Sequence, residues 1–477
     1  MKLILSAAAA ALVAATSVSA WVVSGPQVGA EGKVWPIPSK CWKTLDGKPT
    51  LNVCHRGSRF HLPEESAGAY WESVLQNCDY TEPDITFSKD GVAMANHDLF
   101  LNPGLDISDP FFTGKDRSRW VTKEDQYQQI NASYWVSDFT AKEIKDHAFI
   151  IQNAAMTYRP KFYNHLFPML TIEEYYQTVM NVSALTNTMT GLIPEIKSSF
   201  YHNTQVLNKT DLSAINYFDN AVPGGKWPSN YEFRAEESTI ATLKKLGLPT
   251  KNHPVIIQCF EWATIEYLAR TYPNQSMFRG LLFLVDANWW ALTNKGLDAV
   301  AAVAKETGNQ IYVGPWKDAT YDGEPLYILQ SYNINIYDES RTALVYPGYD
   351  PRDIIEPASL VAAIHQRGLY YYPYTYYDSR QSLSYSCMSS IPKDFDMNSL
   401  HYKPVPCPQN KRDEFFQHYA MGTDAMFIEN QAEANQLRDE YNTILLLKCR
   451  ENYLKNAASD NFNWPPGPSN HTHKCRA

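Results

Sequence analysis

The sequence predicts an α/β fold, a (β/α)8 TIM barrel with an inserted subdomain between strands two and three, and three observations carry that expectation. Eight short apolar or aromatic runs recur along the chain, each closed by polar or turn residues. Between them lie segments whose apolar residues repeat at helical spacing, and strands alternating with helices argue for βαβ units and a parallel sheet. No glycine-rich GxGxxG or GxxxxGK turn follows an early run, which removes the main reason to prefer an open nucleotide-binding sheet over a closed barrel.

The runs are Thr50 to Cys54, Tyr80 to Phe87, Gly191 to Ile196, Val255 to Phe260, Gly280 to Val285, Gln310 to Val313, Leu369 to Tyr374 and Ala425 to Ile428. Ser66 to Leu75, Ile172 to Met180, Ser238 to Leu246, Thr264 to Arg270, Lys295 to Glu306 and Ala358 to Gln366 read as the helices between them. Leu99 to Phe167 is long for a βα connection and rich in Asp, Lys, Tyr and Pro. It reads as a subdomain over one barrel mouth, since long insertions in compact folds tend to be lids or binding loops. From about Asn456 the chain carries Trp464-Pro465-Pro466-Gly467-Pro468, too Pro-rich for a helix, and residues 456–477 are expected to form an extended tail.

At the amino end, Lys2, the apolar run from Leu3 to about Ala15 and the small residues up to Ala20 have the pattern of a secretory signal cut after Ala20. That run is too short, and no later one long enough, to span a bilayer core of roughly 30 Å. The barrel is then expected over residues 21–455, enlarged beyond the roughly 250 residues usual for the fold by loop insertions. A net charge of −9 with both signs interspersed gives no basic footprint for nucleic acid.

Eight cysteines, Cys41, Cys54, Cys78, Cys259, Cys387, Cys407, Cys449 and Cys475, match no zinc spacing. In an oxidising compartment they point to two or three disulfides, with Cys387–Cys407 and Cys449–Cys475 the natural pairs by proximity, although sequence does not fix connectivity. Cys54 and Cys259 sit in apolar runs and could equally be buried thiols. Asn131, Asn181, Asn208, Asn274 and Asn470 each begin an Asn-x-Ser/Thr triplet, which marks surface positions if the source cell glycosylates.

The chemistry gathers at the carboxyl ends of the predicted strands, where barrel enzymes place their active sites. Cys54-His55-Arg56-Gly57-Ser58 ends strand one, Pro63-Glu64-Glu65-Ser66 opens the next helix, Glu82-Pro83-Asp84 ends strand two, His97-Asp98 follows, and Pro194-Glu195-Ile196-Lys197 ends strand three. Glu82 and Asp84, two residues apart, face the same way on a strand, and Glu195 arrives on the neighbouring strand at similar height. Three converging carboxylates without Cys or His ligands suit Ca2+ or Mg2+ rather than zinc. His55 and His97, flanking that site, have the chemistry of an acid/base pair. Arg56 and Lys197 supply positive charge for phosphate oxygens, Arg as a planar fork and Lys as a point charge.

His55-Arg56-Gly57, Pro63-Glu64-x-Ser66, Glu82-x-Asp84, Lys89-Asp90-Gly91 and His97-Asp98, in this order and spacing, resemble the signature of glycerophosphodiester phosphodiesterases. The likeness continues through Pro194-Glu195-Ile196-Lys197, Gln258-Cys259-Phe260, Tyr372-Pro373-Tyr374-Thr375 and Gly422-Thr423-Asp424-Ala425, covers roughly Asn52 to Asn435, and is greatest to the secreted or periplasmic branch. The resemblance implies a divalent ion on Glu82, Asp84 and Glu195, His55 and His97 as acid and base, and Arg56 and Lys197 on the phosphate. It also implies a glycerophosphodiester as the small-molecule substrate, with Gln258 and Tyr374 as further pocket residues. Glu65 stands where the family usually has Asn or another small polar residue, and Ser66 replaces a Thr. Both are expected at the helix opening, away from the metal site. Two other readings remain: a lysophospholipase D-like activity on the same machinery, and a secreted barrel that has lost catalysis, which the presence of all five metal and histidine positions disfavours.

Overall fold

The computed structural model describes residues 41–123, 126–206, 220–227, 231–286, 288–321, 346–350, 353–378 and 405–457. The expected signal, the Pro-rich residues 458–477, Asn208, Asn470, Cys387 and Cys475 lie outside them.

All eight predicted strands form. They are β1 (Leu51–His55), β2 (Tyr80–Glu82, resumed after Pro83 as Asp84–Phe87), β3 (Gly191–Leu192, resumed as Glu195–Ile196), β4 (Ile256–Cys259), β5 (Gly280–Val285), β6 (Ile311–Pro315), β7 (Tyr370–Tyr371) and β8 (Ala425–Ile428). The interruptions in β2 and β3 fall beside prolines, which have no N–H to give to a sheet. Each strand pairs in parallel with the next, and β8 pairs in parallel with β1. The last gap closes where Tyr376 bridges Ile428 in parallel and donates its N–H to Phe427 O at 2.8 Å. The sheet is therefore a closed eight-stranded barrel, the expected fold.

Helices cover the outside: α1 (Ala67–Leu75), α2 (Ile172–Thr186), α3 (Ala235–Lys245), α4 (Trp262–Thr271), α5 (Asn294–Thr307), α6 (Pro357–His365) and α7 (Lys411–Met421). A longer helix, α8 (Gln431–Ala457), follows β8. The first six match the helical-period segments. No apolar stripe announced α7 or α8, because both are largely polar along their length. Among the described residues no helix is long and apolar enough to cross a membrane.

Two apolar layers follow from the period-2 alternation of strands. Leu281, Phe283 and Val285 pack outward against the helices, while Leu282 and Leu284 point into the barrel. The inner layer holds Val53, Tyr80, Ile193, Ile256, Phe260, Tyr312, Tyr372 and Phe427. This parity decides which later residue of each strand faces the barrel mouth.

Between β2 and α2 the chain first turns back as the strand Ala93–Ala95, antiparallel to Asp84–Phe87, through a turn in which Gly91 has φ +75°. It then forms a hairpin of Arg117–Lys123 with Gln126–Ser133, a short helix Ala141–His147 capped by Thr140, and the strand Phe149–Ile150 paired with Leu105–Asp106.

Among the described residues, Cys41, Trp42 and the carboxyl-terminal part of α8, residues 439–457, form a unit separate from the barrel. Inside it Cys41 is bonded to Cys449, and Trp42 Nε1 donates to Asn442 Oδ1 at 2.8 Å. This corrects the proximity pairing of Cys449 with Cys475. Cys449 sits on a helix, which brings it to a cysteine 408 residues away in sequence. Within the barrel Cys54 bonds Cys78, and Cys259 is a buried free thiol. Cys407 is disulfide-bonded. Asn131, Asn181 and Asn274 are exposed.

Candidate active site

Strand parity builds the site. Val53 faces inward, so His55 does too; Tyr80 carries Glu82 and Asp84, Ile193 carries Glu195 and Lys197, and Ile256 carries Gln258 and Phe260. Parallel register then levels them, with His55 opposite Glu82 and Asp84 opposite Glu195, which in turn stands opposite Gln258. His97 arrives by the return strand, just beyond Ala95 paired with Ile85. Arg56 leaves the alternation through a left-handed backbone at φ +59°. Gly57 follows at φ +80°, where a Cβ would lie 2.7 Å from the Ala69 carbonyl carbon, so the turn needs glycine there.

All nine residues singled out from the sequence come together. Seven of them, His55, Arg56, His97, Glu195, Lys197, Gln258 and Tyr374, line a cavity of ≈ 620 Å³ at the barrel mouth together with Phe260, and the other two, Glu82 and Asp84, are fully buried beside Glu195.

Glu82, Asp84 and Glu195 each offer one oxygen, and these oxygens lie within 4.8 Å of one another. Glu82 Oε1 accepts from Gln258 Nε2 at 2.9 Å and Oε2 from the Arg56 N–H at 3.0 Å. Arg56 Nε is 2.8 Å from Asp84 Oδ2, while Lys197 Nζ lies 3.2 Å from Asp84 Oδ1 and 2.6 Å from Glu195 Oε1. Burial, then the charges of Asp84 and Glu195, push the Glu82 carboxyl well above the usual range. Burial would raise Asp84 as well, but Lys197 and Arg56 outweigh it and hold that group low.

Glu65 corrects the expectation that it stays at the helix opening. Its backbone is left-handed at φ +61°, which turns the side chain inward to accept from the Asp84 N–H at 3.1 Å and to hydrogen-bond the Tyr70 hydroxyl. Burial, Asp84 and Glu82 push its carboxyl well up. Ser66 does cap α1, accepting from the Ala69 N–H at 3.1 Å. Four buried carboxyls thus face only two cations, Arg56 and Lys197. A divalent cation fits that imbalance, and an all-oxygen donor set suits Ca2+ or Mg2+.

The histidines differ. His55 Nε2 is 3.8 Å from Glu82 Oε2, its ring meets Phe427 edge-on at 6.0 Å, and burial, followed by Arg59 and Arg56, pushes its pKa well down. His97 is more open, its Nδ1 3.4 Å from Asp98 Oδ2. Burial, Arg56 and Lys197 lower it too, with Asp98 and Asp84 pulling the other way. On the far wall Tyr374 hydrogen-bonds Val285 O at 3.0 Å and packs edge-on against Phe260 and Trp316.

Sequence reasoning missed a second buried charge cluster beside the first. Glu64 Oε1 accepts from Arg56 Nη1 at 3.1 Å, and its Oε2 is 2.7 Å from Arg159 Nη1. Arg159 Nε donates to Glu429 Oε1 at 2.6 Å, and Arg59 lies 3.5 Å from Glu64 and 3.7 Å from Glu429. Burial would raise Glu64, yet Arg56, Arg159 and Arg59 hold it low. Arg159 belongs to the long segment between β2 and α2 and Glu429 follows β8, so no local spacing announced their meeting.

Residues 55–388 match the glycerophosphoryl diester phosphodiesterase family. A glycerophosphodiester phosphodiesterase of Arabidopsis thaliana is 28% identical over 348 residues, 72% of this chain and 78% of that protein. One from Haemophilus influenzae is 22% identical over 272 residues, 57% of this chain and 62% of its own. Among solved structures, an Oleispira antarctica phosphodiesterase in complex with the product sn-glycerol 3-phosphate aligns at TM-score 0.44 and 11% identity, over 82% of this chain and 97% of that one. A glycerophosphoryl diester phosphodiesterase of Parabacteroides distasonis aligns at 0.43 and 14%, over 84% and 90%. With the family match spanning most of the barrel and the histidines, cations and carboxylates of the signature brought together at one site, the chain belongs to the glycerophosphoryl diester phosphodiesterase family.

Proposed function

We propose that this protein hydrolyses glycerophosphodiesters to sn-glycerol 3-phosphate and an alcohol, with a divalent ion held by Glu82, Asp84 and Glu195. The observation that carries the reading is the triad of buried carboxylates, oxygens within 4.8 Å, in one cavity with two histidines, Arg56 and Lys197. The ion, Ca2+ or Mg2+, supplies charge neutralisation as negative charge builds on the phosphoryl oxygens. Arg56 and Lys197 bind those oxygens and orient the phosphorus.

His55, the more deeply depressed of the two histidines, stays neutral at pH 7 and takes the proton of the attacking oxygen. His97 is more open, and although burial lowers it too, Asp98 and Asp84 favour its protonated form, which suits it to deliver a proton to the leaving alkoxide. Secretion is part of the proposal, supported by the amino-terminal sequence pattern and by disulfides such as Cys41–Cys449 and Cys54–Cys78, which suit an oxidising compartment.

The test is release of sn-glycerol 3-phosphate from glycerophosphocholine with Ca2+, with Mg2+ and with chelator. Release that depends on the ion is expected; a folded protein inert with every ion sinks the reading. A second reading, cleavage of lysophospholipids, is favoured by one observation: Phe100, Leu105, Ile150, Met156 and Met169 make one side of the cavity apolar. Faster turnover of lysophosphatidylcholine than of glycerophosphocholine would select it.

A further inference from the structure

We infer that Arg159, a residue of the long segment between β2 and α2, is a positioning residue for the phosphate-binding Arg56. It is fully buried and does not line the cavity, so it cannot touch the substrate. It acts through Glu64. That carboxylate divides its two oxygens, giving Oε1 to Arg56 Nη1 at 3.1 Å and Oε2 to Arg159 Nη1 at 2.7 Å. Arg56 in turn puts Nε on Asp84 Oδ2 at 2.8 Å. The guanidinium that meets the phosphate is therefore held from two sides, by a carboxylate of the metal triad and by one whose own place Arg159 fixes.

The other end of Arg159 is anchored to the barrel. Its Nε and Nη2 lie 2.6 Å and 2.5 Å from Glu429 Oε1, and Glu429 Oε2 accepts from the Asp378 N–H at 2.6 Å and the Tyr158 hydroxyl at 2.9 Å. Glu429 sits just past β8, and its N–H donates to Tyr376 O at 3.2 Å where the barrel closes. Arg159 thus reads the position of the barrel seam and transmits it to Glu64. The planar fork matters, because a single point charge cannot span two carboxylates in fixed directions. Without it, Glu64 Oε2 keeps only the longer 3.5 Å contact with Arg59, and Glu64 can turn further onto Arg56 and draw the guanidinium from the orientation that Asp84 sets.

This inference rests on the phosphodiesterase reading only in taking Arg56 as the phosphate contact. The experiment is a double-mutant cycle in the full-length protein with Ca2+ present. Arg159→Met and Arg159→Lys are each made in wild type and in Arg56→Lys, and kcat, KM and the Kd of sn-glycerol 3-phosphate are measured, with folding followed by circular dichroism melts. Contacting groups in one network couple strongly, so R159M should lower kcat/KM and product affinity about 10- to 100-fold in wild type and less than about threefold in the R56K background. R159K should fall between wild type and R159M, and it carries the cycle if R159M does not fold. Equal losses in both backgrounds would make Arg159 purely structural and overturn the inference, as would a folded R159M with unchanged kinetics and affinity. Wild-type protein that binds the product yet hydrolyses no diester would sink the phosphodiesterase reading, while the affinity cycle still decides this one. Wild-type protein that neither binds nor hydrolyses would overturn both.

Discussion

Two buried charge clusters lie side by side at the barrel mouth, and they differ in their arithmetic. In one, Glu65, Glu82, Asp84 and Glu195 face Arg56 and Lys197. In the other, Glu64 and Glu429 face Arg59 and Arg159. The second cluster matches arginines to carboxylates in number, and its own Arg159 and Arg59 join the neighbouring Arg56 in holding Glu64 ionised. The unbalanced one cannot keep all its carboxyls charged, so Glu65 and Glu82 are driven up. A buried site with surplus negative charge either binds protons or binds a cation. One cluster could therefore hold an ion, while the other holds the frame around it.

The largest test of this contrast is catalytic. If the unbalanced cluster organises chemistry, His55→Ala and His97→Ala should each lower kcat by roughly 10²- to 10⁴-fold with little change in melting temperature. Near-normal turnover in both variants would break the assignment. Next, the same chemical change should have opposite consequences in the two clusters. Glu429→Gln removes a charge from a balanced buried network and should cost about 3–5 kcal/mol of stability in urea unfolding, since it strands a buried arginine. Glu65→Gln replaces a carboxyl already driven toward its neutral form and keeps an oxygen for the Asp84 N–H, so it should cost under about 1 kcal/mol. Equal costs would show that charge balance does not separate the clusters.

Ligand linkage sharpens the comparison further. Ca2+ or Mg2+ at 100 times its Kd should stabilise the protein by about 2.7 kcal/mol, and Glu195→Gln should abolish most of that gain. Glu429→Gln should leave the increment in place. An ion that stabilises wild type and the Glu195 variant alike is bound elsewhere.

The smallest effect is a pH slope that neither cluster explains. His202, packed between Phe87 and Tyr201, is pushed by burial down to about 3, and burial, then Lys317, takes His418 to about 3 as well. Both pKa values are depressed on folding, so the stability they contribute is fully present above the unfolded value near 6.5 and is lost as pH falls from there toward 3. Each should add about 1.4 kcal/mol per pH unit to the acid slope. His202→Phe should remove one such increment between pH 6 and pH 5, measured by urea unfolding at half-unit steps. An unchanged slope would mean that His202 is protonated in the fold.

How much was legible follows from where each signal lives. Barrel strands are buried on both faces, so Gly280–Val285 and Ile256–Cys259 stand out as short apolar runs, and all eight were located. Parity was equally readable in strand two, which sends Glu82 and Asp84 to one face with Glu195 beside them, whereas Gln258 and Tyr374 were placed only by the family resemblance. Glu65 was misplaced because its direction depends on a left-handed backbone that the Pro63-Glu64-Glu65-Ser66 string does not encode. Helices α7 and α8 were missed because they lack an apolar stripe at helical period.

By itself, then, the sequence determined the repeating strand and helix units and the shared face of Glu82 and Asp84, which are features of local period, while the histidines, Arg56 and Lys197 were legible as short motifs at the strand ends. The tertiary structure alone decided the pairings across distance: Cys41 with Cys449, Arg159 with Glu64 and Glu429, and Glu65 beneath Asp84. The physical reason is that a charge or a thiol carries no record in its neighbours of which partner it will meet. That is fixed only when burial makes an unpaired group too costly to leave and the closed barrel leaves one partner within reach.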